Sequence, residues 1–157
     1  VSFSAPERLH IRDGLDCDDL KWLRDRWSGR LIIKGVLSVE DVKVATKVGL
    51  DGVILSNHGG RQLDTAISPL DVVEASAREK GKMMILFDSG IRRGTDVVKA
   101  LALGADFVFA GRPFLFAVAA GGYSGVSHAI DLLASEIDRT IALLGCSDLY
   151  NLRTRIV

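Results

Sequence analysis

The stretch RLIIKGVLSVEDVKVATKVGLDGVILS, residues 30–56, contains a complete strand–helix–strand unit. A short apolar run ends at Lys34, and a second one ends at Ser56. Between them, apolar residues recur at helical spacing after Ser38, which suits a helix N-cap, and before Gly49, which suits the stop position. Strands that are joined by such a helix lie parallel and are buried on both faces, so this stretch predicts a parallel sheet covered by helices.

The same unit recurs 55 residues later in MMILFDSGIRRGTDVVKALALGADFVFAG, residues 83–111. The shift aligns Gly35 with Gly90, Asp41 with Asp96, Val42 with Val97, Ala45 with Ala100, Gly49 with Gly104, Asp51 with Asp106 and Val53 with Val108. Repetition of a strand–helix–strand unit favours a (β/α) barrel over a doubly wound sheet.

Four such strands are visible, whereas a closed barrel needs eight. Further helices are predicted from about Asp18 to Trp27, from Pro69 to about Lys80, from about Arg112 onward, and from about Gly125 to Leu144. We therefore expect an α/β fold of the (β/α)8 TIM-barrel family, of which residues 17–157 form about the C-terminal four β/α units plus a terminal helix. Residues 1–16 lack any periodicity and are predicted to be the remnant of a loop.

The composition narrows the class of protein. The chain of 157 residues is 48% hydrophobic, and 20 basic residues balance 20 acidic ones, so no overall field attracts nucleic acid. No apolar run approaches the roughly 20 residues that span a bilayer. Cys17 and Cys146 fit no metal spacing, and a reduced cytoplasmic location is expected. We expect Cys146 to pack internally and Trp22 and Trp27 to lie in the core or at an interface.

Polar residues and glycines follow each apolar run, where the reactive groups of a (β/α) barrel lie. They are Lys34-Gly35, Ser56-Asn57-His58, Asp88-Ser89-Gly90 and Gly111-Arg112. Because an unpaired cation at the end of a buried strand is costly, we expect Lys34 to have an electron-rich ring or a carboxylate as its partner. His58 is the natural proton acceptor near neutral pH, and Arg61 can bind a carboxylate through two parallel hydrogen bonds.

Two further segments predict an anion site. In DSGIRRGTD, Gly90 and Gly94 flank two arginines before a helix, so that backbone N–H groups and Arg92 can bind phosphate. Gly111 and Arg112 add a second glycine and arginine at the next strand end, and the last two strands carry the usual phosphate position of this architecture. No Walker or GxGxxG pattern occurs, which argues against a dinucleotide fold.

The strings IIKG, ILSNHGGRQLD, DSGIRRGTDVVKALALGA and GRPFLF resemble the FMN-dependent 2-hydroxy-acid oxidases and dehydrogenases. The resemblance covers about residues 17–152, and three other segments look most like the mandelate-oxidising branch. It implies that Lys34 stabilises negative charge on reduced FMN, that His58 is the catalytic base and that Arg61 binds the substrate carboxylate. The remaining FMN contacts that we assign on this basis are Ser56, His58, Asp88, Ser89, Gly90, Arg92, Gly111 and Arg112.

The implied reaction oxidises a 2-hydroxy acid, mandelate-like or lactate-like, to the 2-keto acid. His58 removes either the α-proton or the hydroxyl proton, and oxygen, a quinone or a cytochrome reoxidises the flavin; the sequence leaves both choices open. The resemblance also implies a homo-oligomer, in the form of a tetramer. Peripheral membrane attachment through the loop before residue 17 is an alternative to a purely cytoplasmic protein.

The family's first four strands carry further active-site residues that have no counterpart in this sequence. They are two tyrosines, a second substrate arginine and the aspartate that orients the histidine. We therefore expect a partial chain, which alone could be inactive. The competing hypotheses are a non-catalytic half barrel that binds flavin or phosphate, and another FMN barrel enzyme with the same phosphate loops. The second is disfavoured because His58 and Arg61 have no role in binding phosphate.

Overall fold

A computed structural model describes residues 16–154 of the chain. Four parallel strands form one sheet in the order β1-β2-β3-β4, so sequential strands are always neighbours. Their bounds are Ile32–Val36 for β1, Gly52–Leu55 for β2, Met84–Phe87 for β3 and Phe107–Val108 for β4. This strand order with helical crossovers is the arrangement of half of a (β/α)8 barrel. The predicted loop remnant before residue 16 lies outside the described residues.

Helices alternate with the strands as the sequence predicts. They are α1 (Cys17–Arg26), α2 (Val39–Val48), α3 (Leu70–Glu79), α4 (Gly94–Ala102) and α5 (Arg112–Leu143), with short 3₁₀ segments at His58–Gly60 and Leu149–Thr154. Gly121 and Gly122 interrupt α5 with non-helical backbone angles, which agrees with the two helices predicted there. Ser38 caps α2 by accepting from the Asp41 amide, and Gly49 ends it at φ +82°.

Two predicted helix starts were wrong by one or two residues. Asp16, not Asp18, caps α1: its carboxylate accepts from the amides of Asp18 and Asp19, and the Asp19 side chain reaches back to the Asp16 amide. Pro69 lies just before α3 instead of at its first position. Runs of similar residues at a helix start offer several caps, and the local hydrogen bonds select among them.

The hydrophobic core lies between the sheet and the helices that follow its strands. Val53, Leu55 and Ile85 are fully buried there, together with residues of α2, α3 and α4. The alternate positions of the strands point to the opposite face, where Met84 is 46% and Phe107 50% exposed. The inner face of the sheet, which would line the interior of a closed barrel, is thus uncovered at Met84 and Phe107 within the described residues, although Leu86 on the same face is only 7% exposed.

Trp22 and Trp27 do not lie in the core of the described residues. They are 54% and 57% exposed on and after α1, and α1 has no buried residue. Cys146 is partly buried in a second cluster with Val98 and Leu152, as expected of a packing residue.

The internal repeat has a structural counterpart at the amino-terminal edge of the sheet. The carboxylate of Asp51, just before β2, accepts from the Leu31 amide at 2.9 Å, and that of Asp106, just before β4, accepts from the Ile85 amide at 2.8 Å. In each case the aspartate amide donates back to the carbonyl of the same partner. These paired bonds align neighbouring strands at the edge opposite to the strand ends that carry the predicted chemistry.

Candidate functional site

A cleft of about 770 Å³ lies at the carboxyl ends of the strands. Its lining includes Lys34 after β1, His58 and Arg61 after β2, and Arg92 after β3. Asp88, Ser89, Gly90, Gly111 and Arg112 also line it. Ser56 is buried and does not line the cleft, but its hydroxyl accepts a hydrogen bond from Lys34, which does. The structure thus brings the charged residues that the sequence singles out at the four strand ends to one cleft, because parallel strands deliver their ends to one edge.

Lys34 has the partner that its position requires. Its Nζ lies 2.8 Å from Asp88 Oδ2 and donates to Ser56 Oγ at 2.8 Å. Burial acts to raise the pKa of Asp88, but hydrogen bonds from Lys34, Ser56 and Ser89 outweigh it, so that this pKa lies below its ordinary value of 3.8. Of the two partners expected from sequence, the carboxylate is therefore present within the chain, and it fixes the position of the ammonium group.

His58 lies on a turn with left-handed backbone conformation. The φ angles of His58, Gly59 and Gly60 are +56°, +69° and +74°. Asn57 stabilises this turn, since its side-chain oxygen accepts from the amides of Gly59 and Gly60 at 3.0 and 3.2 Å. The His58 amide donates to the buried Ser56 hydroxyl at 3.0 Å. The backbone of this turn therefore places His58 at the cleft, which its side chain lines.

A second left-handed residue supports the same turn. Ser89 has φ +81°, and among the described residues it and His58 are the two non-glycine residues with positive φ. Its hydroxyl donates to Asp88 Oδ1 at 2.8 Å and accepts from the Gly59 amide at 3.0 Å. Ser89 thus connects the end of β3 to the turn after β2. Strained backbone of this kind is concentrated at functional sites.

Two glycines permit close approaches within the cleft. A Cβ at Gly35, where φ is +98° and β1 has an irregular register, would lie 3.1 Å from His58 Cε1. A Cβ at Gly59 would lie 2.8 Å from Arg112 Nη2. Arg112 Nη2 donates instead to the Gly59 carbonyl at 3.0 Å. Both positions favour glycine by their positive φ, and an added Cβ at either would displace the side chain that it meets.

The cleft carries an excess of positive charge. Lys34, Arg61, Arg92 and Arg112 line it, against the single carboxylate of Asp88. Asp88 is already paired with Lys34, and the described residues provide no ion-pair partner for the side chains of Arg61 or Arg92. Unpaired guanidinium groups around a concave site favour anionic ligands such as carboxylate and phosphate.

The backbone part of the predicted anion site needs correction. The amides of Arg92 and Arg93 both donate to Asp96 Oδ2 at 3.0 Å, and the Gly94 amide donates to Glu136 Oε2 at 2.7 Å. These N–H groups at the start of α4 are occupied by the chain's own carboxylates and cannot hold a phosphate. Arg92 itself still lines the cleft, whereas Arg93 is directed towards Glu136 at 4.0 Å.

Asn57 was given no role from the sequence, and the apolar residues of the cleft were not singled out. Asn57 organises the His58 turn, and an Asn two residues before a Gly-Gly pair is a recognisable signal for such a side-chain-capped turn. Ile91 and Phe109 add apolar walls to the cleft. Nothing in their local sequence distinguishes them from other strand and loop hydrophobics.

The fold is that of a (β/α) barrel unit, and its cleft lies at the carboxyl ends of the strands. The positive charge of this cleft suits a ligand that carries anionic groups. The sequence profile of the FMN-dependent dehydrogenases matches residues 3–157. The chain belongs to this family, whose cofactor is FMN.

Individual relatives agree with this assignment. The chain is 54% identical over 133 residues to an (S)-mandelate dehydrogenase of Pseudomonas putida. The matched segment covers 85% of this chain and 34% of that protein. It is 47% identical over 145 residues to an L-lactate oxidase of Nostoc sp., covering 92% of this chain and 40% of that protein. The chain therefore spans about two fifths or less of the length of these relatives.

Solved structures give the same fold. A monotopic membrane (S)-mandelate dehydrogenase superposes with a TM-score of 0.84 at 51% identity, over 88% of this chain and 37% of that one. A mandelate oxidase with (S)-4-hydroxymandelic acid superposes with a TM-score of 0.82 at 38% identity, over 88% and 39% of the two chains. These superpositions establish that the chain has the predicted fold of the (β/α)8 TIM-barrel family and that it forms part of such a barrel. Within residues 16–154, no helix has the length and apolar character needed to cross a membrane.

Proposed function

We propose that this chain supplies the FMN-holding and base-bearing part of an enzyme that oxidises a 2-hydroxy acid to the 2-keto acid. The observation that carries the proposal is the convergence of His58, Arg61 and Lys34 on one cleft whose charge is positive. When bound there, FMN supplies the acceptor for the two electrons that the substrate loses. The residues of the chain bind, orient and deprotonate.

Arg61 and His58 are proposed to act on the substrate. Arg61, with no ion-pair partner among the described residues, binds the substrate carboxylate through its planar guanidinium. Three positions earlier, His58 accepts one of the two protons that leave the substrate, from the α-carbon or from the hydroxyl. The two side chains lie on one turn and its continuation, so binding the carboxylate brings the reacting carbon towards the imidazole.

The residues present also suit FMN. The cleft volume of about 770 Å³ lies in the range that cofactor sites occupy. Lys34, held by Asp88 and Ser56, is proposed to stabilise negative charge on the reduced ring. Arg92 and Arg112, with Ser89, Gly90 and Gly111, are proposed to hold the ribityl and phosphate part.

The substrate is proposed to be mandelate-like or lactate-like. The relatives reported above include enzymes named for each of these acids. The greater identity lies with the (S)-mandelate dehydrogenase, so (S)-mandelate is the first substrate to test. Oxygen, a quinone or a cytochrome is the proposed class of electron acceptor.

The test is an anaerobic visible spectrum of the purified protein with FMN, before and after addition of (S)-mandelate or (S)-lactate. Bleaching of the flavin band by either acid is the expected result. His58→Gln should abolish bleaching but leave the protein able to bind flavin, because the imidazole supplies the base whereas Lys34 and the arginines make the charged contacts. His128→Gln is the matched control, since His128 is exposed on α5 and does not line the cleft.

The results of this experiment distinguish the proposed oxidation from the alternatives. Bleaching that survives in His58→Gln would refute the assignment of the base. Flavin binding without bleaching by either acid would show that this chain is at most the cofactor-holding part, either of an enzyme that needs further residues or of a non-catalytic half barrel. Failure to bind flavin at all would refute both.

We also propose that the protein assembles as a homo-oligomer and has a cytoplasmic location, with peripheral membrane attachment through residues before 17 as the alternative. The apolar inner face of the sheet supports association, because exposed patches of this kind mark interfaces. The membrane alternative rests on the structural relative described as monotopic. Sedimentation velocity tests the first proposal, and flotation with anionic lipid vesicles tests the second. A soluble monomer that stays with the aqueous fraction would refute both association and attachment.

A further inference from the structure

We propose that Arg112 is a positioning residue for the turn His58–Gly60, and that an anion bound by Arg112 tightens this turn. The inference rests on the anion subsite of the proposed function but adds a coupling to it. Phosphate occupancy at one end of the cleft would thereby determine how firmly the proposed base is held at the other.

The contact that carries the inference crosses the sheet. Arg112 begins α5, directly after β4, whereas Gly59 follows β2. Because β3 lies between these two strands, they are about 10 Å apart, and the contact between Arg112 and the turn crosses the end of β3. Its Nη2 donates to the Gly59 carbonyl at 3.0 Å across 53 positions of sequence. A long polar side chain therefore joins two strand ends that are not neighbours.

Gly59 is shaped to receive this contact. A Cβ at position 59 would lie 2.8 Å from Arg112 Nη2 and 3.4 Å from Cζ, so any larger residue would expel the guanidinium. The left-handed φ of Gly59 independently favours glycine. Spatial and conformational requirements thus coincide at the residue directly after His58.

The amide side of the turn is fixed by neighbours other than Arg112. Asn57 Oδ1 accepts from the Gly59 and Gly60 amides, and Ser89 Oγ accepts from the Gly59 amide as well. Arg112 holds the opposite, carbonyl side. The peptide group between Gly59 and Gly60 is therefore held at its N–H by Asn57 and at its carbonyl by Arg112, which restricts rotation of the turn that carries His58.

The guanidinium can serve an anion and the turn together. It has five N–H donors, and the described residues take up one of them. The planar fork directs the remaining donors in fixed directions, so an anion that binds them also restricts the rotation of the N–H group that holds Gly59. By linkage, a ligand that stabilises the ordered turn must in return raise the affinity for the anion.

The test measures amide hydrogen exchange of Gly59 and Gly60 by NMR in the purified protein, with chloride or with saturating inorganic phosphate at equal ionic strength. We expect phosphate to slow exchange of the Gly59 amide by about fivefold or more, the lower end of typical coupling. The Leu31 and Ile85 amides, which are bonded to aspartates at the opposite edge of the sheet, are the internal reference and should not change.

Two arginine variants provide a matched pair. Arg112→Lys keeps the charge but replaces the planar fork by a compact ammonium group, so at saturating phosphate the extra protection of Gly59 should disappear. Arg92→Lys makes the same change at an arginine that lines the cleft but, among the described residues, has no hydrogen bond to the turn. It should weaken phosphate binding yet retain the full protection once phosphate is saturating.

Several outcomes would overturn the coupling. They are unchanged Gly59 exchange in the wild type at saturating phosphate, absence of phosphate binding, equal slowing at the reference amides, and protection that persists in Arg112→Lys. The flavin-bleaching experiment is independent of these results. Bleaching with no change in Gly59 exchange would leave the proposed function standing and remove the coupling. Slower Gly59 exchange without bleaching would support the coupling but not the proposed oxidation.

Discussion

Replacing Gly35 by alanine should impair the position of His58 more than it impairs the fold. Gly35 lies at the irregular end of β1 with φ +98°, and an added Cβ would lie 3.1 Å from His58 Cε1. The atom it meets belongs to a side chain and not to backbone. Because His58 is exposed, the imidazole can move away, and the crowding is relieved by displacing the proposed base.

The expected magnitudes follow from these two effects. A non-glycine residue held at positive φ costs roughly 1–3 kcal/mol of folding free energy. Restoring an ordinary carbon–carbon separation of about 3.5 Å moves the imidazole by a few tenths of an ångström. Since a misplacement of about 1 Å can cost about a hundredfold in rate, we expect a loss of about tenfold in kcat for hydroxy-acid oxidation.

Gly49→Ala is the matched control. Gly49 has a similar φ of +82°, but its added Cβ would have no atom within 4 Å. Urea denaturation should show similar destabilisation of both variants, whereas the rate of flavin reduction and the NMR shifts of the His58 ring should change in Gly35→Ala alone. Equal rates and equal ring shifts in the two variants would refute the reasoning, because backbone strain would then explain everything.

Three further changes test other contacts of the site and the fold. Asp88→Asn removes the carboxylate that pairs with Lys34. Because the pKa of Asp88 is lowered in the folded state, the stability that this group gives the wild type is present above pH 3.8 and is lost as the pH falls through the folded pKa. Urea midpoints measured from about pH 6 to about pH 2 should therefore fall less in the variant than in the wild type. An unchanged acid limb would contradict this. Ser89→Gly relieves the left-handed strain and Ser89→Ala does not, although both lose the hydroxyl, so Ser89→Gly should be the more stable by roughly 1 kcal/mol in urea denaturation; the reverse order would refute strain at this residue. Gly94→Ala would place a Cβ 2.5 Å from the Glu136 Cβ and from neighbouring backbone, so thermal denaturation should report a loss of more than about 2 kcal/mol, and a wild-type melting temperature would show that α4 and α5 are not closely packed.

Much of the architecture could be predicted because the signals are local. Ser38 and Gly49 bound α2, and apolar runs of three to five residues give β1, β2 and β3. The 55-residue repeat was informative because one kind of unit recurs, with an aspartate before β2 and another before β4. Helix starts were less certain, as at Asp16, because several adjacent residues are suitable caps.

The site was predictable in its residue types but not in its internal contacts. Strand ends of a parallel sheet meet at one edge, so the neighbourhood of Lys34, His58 and Arg112 follows from the topology alone. That the amides before α4 are occupied by Asp96 and Glu136 could not be foreseen. Glu136 lies 42 positions from Gly94, and only the packing of α5 on α4 brings the two together.

The sequence by itself determined the repeat of the strand–helix–strand unit, the order of the helices and strands, and the chemical groups at each strand end. These features depend on neighbours within a few residues. Tertiary structure decided which partner each group takes. It paired Lys34 with Asp88, placed Ser89 against the Gly59 amide and brought Arg112 across β3 to the Gly59 carbonyl. These contacts join residues that are far apart in sequence, and they depend on distances of a few ångströms that exist only once the sheet has formed.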